Sequence, residues 1–135
     1  MATAGGFMDV FVQVLLWLSA TSFAGIGLLF LYDPVRWAST IDVEATSDVG
    51  RVDLRATYGG GFLAMGLFWL WCVLDESRMA AGLWSMSLSY GALALGRGLG
   101  WLAGHRLDGK MWFFLLFEIV ALAACIWCIA SGFEA

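Results

Sequence analysis

The chain has 135 residues, of which 61% are hydrophobic and 16% aromatic while only 13% are charged. A mean hydropathy of +0.84 lies far above that of a soluble globular domain, so composition points to a membrane protein and leaves no room for a separate soluble domain. The net charge of −4 excludes nucleic acid as a partner, because no basic stripe is present to neutralise phosphates.

Crossing the hydrocarbon core takes about 20 mostly apolar residues, and four stretches qualify: 7–31, 54–74, 79–102 and 111–132. The expected architecture is an all-α, integral membrane four-helix bundle, a single transmembrane domain over residues 1–135 with a polar, interfacial loop at 32–53. The opening MATAGGFMDVFVQ has no Lys or Arg. A signal peptide needs a basic start, so the first span is expected to be retained.

Span 1 carries Gln13 and the small-residue run SATSFAGIG at 19–27, which suits close helix approach. It ends at Tyr32-Asp33-Pro34, where Asp33 fits a cap and Pro34 the first turn of a short helix. Arg36 and Trp37 are then expected at headgroup level, and the acidic segment with Asp42, Glu44 and Asp48 is the longest water-exposed piece.

Span 2 is expected to begin before its apolar run, with Ser47 or Asp48 near the N-cap and Arg51 and Arg55 one turn apart. Three consecutive glycines, Gly59 to Gly61, each cost a helix roughly 1 kcal/mol relative to Ala in water. Close packing or local unwinding should compensate. Ala56, Gly60 and Ala64 form the expected packing stripe, and Arg55, Tyr58, Gly59 and Phe62 share another face.

The link 75–78 allows only a tight reversal, which makes spans 2 and 3 antiparallel neighbours. Span 3 has a second small stripe, Ala92, Gly96 and Gly100, and a face holding Tyr90 and Arg97. Span 4 places Glu118, Leu122 and Cys125 on one face, with Cys128 turned partly away. The tryptophans fall mostly near span ends, as an aromatic belt would.

Arg55, Arg97 and Glu118 are the residues that apolar spans should not contain, since such a charge at a helix centre costs on the order of 2.5–3.5 kcal/mol. Counting from the link between spans 3 and 4 at 1.5 Å per residue puts Arg97 and Glu118 level, roughly 8–11 Å deep. An ion pair between them is expected, with Arg55 and Tyr58 close enough to share it. Two guanidinium groups against one carboxylate leave donors that suit a phosphate, carboxylate or quinone oxygen. The competing reading is a structural staple, with Arg55 reaching to the headgroups along its stem.

The motif Arg55-Ala-Thr-Tyr58-Gly59-Gly60, the pair Gly96-Arg97 and Glu118 resemble a bacterial family of small four-helix integral membrane proteins catalogued as a domain of unknown function. The resemblance covers nearly the whole chain. It implies the four-helix architecture and supplies no activity, ligand or catalytic residue.

Cys125-Ile-Trp-Cys128 is a C-x-x-C at the far end of span 4, and Cys72 lies at the same end of span 2. This looks like the quinone-linked thiol oxidoreductases of the vitamin K epoxide reductase and disulfide-bond-forming types. Those use a second cysteine pair, whereas only Cys72 remains here, and buried cysteines in apolar helices are usually packing residues. His105, the sole histidine, falls in a turn, so neither metal nor haem is expected. A proton relay would need groups continued between Asp9 and Glu118, and only Gln13 and tyrosines intervene.

Arg36, Arg51 and Arg55 lie between spans 1 and 2, and Arg106 and Lys110 between spans 3 and 4. The positive-inside rule therefore puts both links in the cytoplasm and both termini outside, and the resemblance implies a bacterial inner membrane. The expected function is non-catalytic: binding a lipid, isoprenoid or quinone-like molecule, or serving as an accessory subunit of a membrane complex, through Arg55, Tyr58, Arg97 and Glu118. Membrane lipids, a second copy or a larger complex are the expected partners. A thiol-disulfide or quinone redox enzyme using Cys125 and Cys128 is the alternative, with a transporter or proton relay behind it.

Overall fold

The computed structural model describes residues 4–133, which contain helices and no strand. Helix α1 (Ala4–Tyr32) is followed by short α2 (Pro34–Ser39) and α3 (Asp48–Leu54). A π-helical segment, Arg55–Gly61, then runs directly into α4 (Phe62–Val73). A 3₁₀ turn (Glu76–Arg78) leads to α5 (Met79–Leu102), and α6 (Gly109–Ala130) completes the chain.

Local chemistry explains the boundaries. The Asp33 carboxylate accepts the Arg36 N–H at 3.1 Å while Pro34 occupies the first turn of α2, satisfying an N–H that the helix itself cannot. Ser47 caps α3 through the Gly50 N–H at 3.1 Å, and Asp108 caps α6 through the Met111 N–H at 2.8 Å. The second apolar helix thus starts at Asp48, ahead of its hydrophobic run, and the expected water-exposed piece is helical from that point. Gly104 (φ +91) and Gly132 (φ +78) end α5 and α6 in the left-handed conformation that glycine adopts without steric penalty.

The chain forms two compact units. One comprises the start of α1 through Val12 together with everything from Glu76 onward; the other is Gln13–Asp75. In the first, α5 and α6 form an antiparallel hairpin. Its buried seam is Met79, Gly82, Leu83, Met86, Ser87 and Tyr90 on α5, facing Leu115, Glu118, Cys125 and Cys128 on α6. The hydroxyls of Ser85, Ser87 and Ser89 donate to carbonyls one turn back, at 3.0, 2.9 and 2.8 Å, so they do not enter an apolar environment unpaired. Phe11 of α1 meets Trp127 edge-on at 5.8 Å.

In the second unit, α1 lies antiparallel to the π segment and α4 at a separation only small residues permit. A Cβ on Gly27 would stand 2.4 Å from the Leu63 nitrogen, and one on Gly66 2.4 Å from the Ala24 nitrogen. The packing stripe is therefore Gly59, Leu63 and Gly66, and not the expected Ala56, Gly60 and Ala64; Ala56 and Ala64 are exposed. Both stripes have helical spacing, and the close approach of α1 selects the one through Gly59 and Gly66. Phe30, Ala38 and Leu54 form a small core at the end of this unit, covered by Trp37, Ile41, Val43, Ala45 and Tyr58. The stretch after α1 is thereby folded down rather than loose.

Three helices are long and apolar enough to cross a membrane: Gly6–Tyr32, Asp48–Val73 and Gly109–Ala130. Helix α5 has the length, but its serines, glycines and Arg97 make it less apolar than those three. The second small stripe, Ala92, Gly96 and Gly100, is not a packing contact: a Cβ on Gly96 or Gly100 would meet nothing within 4 Å.

Candidate functional site

Tyr90, the last fully buried residue on α5, marks where the hairpin seam turns polar. Two turns further on, the Arg97 guanidinium pairs with the Glu118 carboxylate of α6 through Nη1 and Oε1. Helix α6 presents Leu115, Glu118, Cys125 and Cys128 to the seam, spacings of three, seven and three that keep one helical face. Glu118 is 4% exposed, whereas a quarter of the Arg97 side chain remains accessible. The Arg97 guanidinium also lies 5.5 Å from the centre of the Phe114 ring, one turn before Glu118, a favourable placement for a cation. The second carboxylate oxygen, Glu118 Oε2, is buried without a hydrogen-bond partner among the described residues.

Arg55 and Tyr58 lie in the other unit, on the π segment. Arg55 is exposed and Tyr58 half-buried. Tyr58 stacks on Phe30 at 5.1 Å and packs against Phe62 at 5.7 Å, which makes it an aromatic bridge between α1 and α4. Of the four expected cluster residues, the structure joins Arg97 to Glu118 and places Arg55 one turn from Tyr58.

The chain's match to a family model now bears on these residues. The model for a domain of unknown function, DUF4345, matches residues 11–129. The chain belongs to that family. Arg55, Tyr58, Arg97, Glu118, Cys125 and Cys128 all fall inside the matched range. No curated protein matches the chain, and no solved structure does.

In this DUF4345 chain Cys125 and Cys128 are free cysteines with no exposed surface. Cys128 faces the seam as fully as Cys125, not partly away as the sequence implied. Both lie on the buried face of α6, so the thiols take part in helix packing. Among the described residues, no three His, Cys, Asp or Glu side chains converge as metal ligands.

Sequence reasoning missed one feature of the DUF4345 hairpin. The link after α5 forms an open depression of about 360 Å³, lined by Trp101, Gly104, His105, Arg106, Leu107 and Trp112. The available signal was a tryptophan on each side of a basic link. Chemically, the pair and the link differ: Arg97 and Glu118 offer donors and an acceptor with balanced charge, whereas the link offers an unbalanced cation.

Proposed function

We propose that this DUF4345 protein is an integral membrane four-helix protein, α5 being its fourth span, that binds a neutral amphiphile at Arg97 and Glu118. The headgroup is a hydroxyl of the quinol or isoprenoid-alcohol class, which can donate as well as accept. The observation carrying this reading is the half-used ion pair. Glu118 Oε2 is a buried acceptor without a donor, and a guanidinium has five N–H groups, of which the pair engages Nη1.

A hydroxyl donating to Oε2 and accepting from Arg97 satisfies both partners at once. A phosphate supplies acceptors alone and brings negative charge against Glu118, so it fits less well. Partial exposure of Arg97 gives a headgroup access. Pairing also lowers the cost of holding either charge within α5 or α6, which supports α5 as a span despite its composition.

The test is binding of a short-chain benzoquinol and of farnesol to protein in mild detergent. Saturable binding is expected, weakened about tenfold or more in Arg97→Gln and Glu118→Gln, the loss of one hydrogen bond to a charged group. Indistinguishable binding by the parent and both variants would leave the pair a structural staple.

A further inference from the structure

We propose that the link between α5 and α6 is a second, shallower site, for a phosphodiester group supplied by the headgroup of an anionic membrane lipid. It rests on the same membrane placement as the function above but not on any occupancy of Arg97 and Glu118.

The backbone creates the donors. The Gly104 N–H donates to the Trp101 carbonyl at 2.9 Å and the His105 N–H to that of Gly100 at 3.2 Å, closing off α5. On the other side, the Met111 N–H is taken by the Asp108 side chain and the Trp112 N–H by the Asp108 carbonyl. Between these closures, the N–H groups of Arg106 and Leu107 have no main-chain acceptor among the described residues. Both residues line the depression. Successive unclaimed N–H groups beside a guanidinium are the donor set that phosphate oxygens require.

Charge and depth favour the same ligand. Arg106 and Lys110 against Asp108 leave the link at +1, in a chain of −4 overall. The Asp108 carboxylate is occupied in capping α6. Trp101 and Trp112 wall the depression, their rings edge-on at 5.7 Å and each about half exposed, at 51% and 40%. Indole rings at the ends of apolar helices sit at headgroup level, where lipid phosphates lie. A basic cluster there is attracted to anionic lipid. Arg97 lies one turn before Trp101, so the two sites are neighbours along the seam yet opposite in demand: the pair compensates its own charge and the link does not.

The experiment is native mass spectrometry of the full chain in mild detergent with added phosphatidylglycerol. Retention of the lipid is expected, falling about tenfold in Arg106→Gln, the loss of one charge-assisted contact. Arg106 is exposed, so this substitution leaves the fold intact. Arg36→Gln, an exposed arginine outside the depression, should bind as the parent does. Displacement of the lipid by inorganic phosphate, dependent on Arg106, would extend the site to the free anion. Unchanged retention in Arg106→Gln overturns the proposal, and so does an equal loss in Arg36→Gln, which would make the attraction one of general charge and not of the depression.

Discussion

Glu118 shows how unequal the two halves of a buried ion pair are. Its carboxylate is enclosed, while Arg97 keeps a partly accessible guanidinium and an aromatic ring beneath it. Removing the arginine strands a buried charge, and breaking such a pair costs about 3–5 kcal/mol, whereas replacing both partners by apolar residues is often neutral. Arg97→Leu should accordingly lower the midpoint of thermal unfolding in detergent, and Arg97→Leu with Glu118→Leu should restore most of it. A double variant as unstable as the single one would argue against the pair as a source of the loss. The sequence pointed to this pair because both charges interrupt apolar runs at matched distances from one link. It also grouped Tyr58 with them, since spacing along a helix reveals a shared face but not what covers it. Phe30, twenty-eight positions earlier, is what covers it.

Among the elements, the contact between α1 and α4 depends on glycines that are not interchangeable. Gly27 has backbone atoms of Leu63 and Gly59 where its Cβ would lie, whereas Gly25, two residues earlier, has open space. Gly27→Ala should destabilise by about 1–3 kcal/mol through overpacking. Gly25→Ala should be neutral or stabilising by up to about 1 kcal/mol through helix propensity. Unfolding in detergent, with the two variants side by side, checks this; equal behaviour would contradict the close approach. The sequence foresaw small-residue packing on each of these two helices, without pairing them, and compensation for the glycine run. It selected the wrong stripe because 56/60/64 and 59/63/66 are both regular faces of one helix, and spacing alone does not say which of them meets a neighbour. Burial of Cys128 reflects the same limit in milder form, because the width of a buried face is set by how closely the partner helix approaches.

For the molecule as a whole, the proposed topology makes α5 the element to examine. Its ends are flanked by exposed residues, Ser77 before it and His105 after it. With Ser77→Cys and His105→Cys each placed in a chain whose native cysteines are buried, a membrane-impermeant maleimide applied to intact bacteria should label the first alone. His105→Cys should react only once the membrane is opened. Labelling of both in intact cells would rule out α5 as a span, and the reverse pattern would invert the orientation drawn from Arg51, Arg106 and Lys110.

The sequence by itself determined what hydropathy, spacing and capping chemistry encode locally: an all-helical chain, the limits of its long helices to within a few residues, and the level of Arg97 with Glu118. These follow because side-chain acceptors such as Ser47 and Asp108 mark helix starts, a span needs about 20 apolar residues, and an antiparallel hairpin equates distance from its link with depth. Tertiary structure alone decided which glycines touch a neighbour, that Glu118 keeps an unpartnered oxygen, that Tyr58 serves an aromatic core, and that the α5–α6 link encloses a cationic depression. Each of these depends on how residues distant in sequence approach one another across packed helices, a distance that periodicity along one helix does not contain.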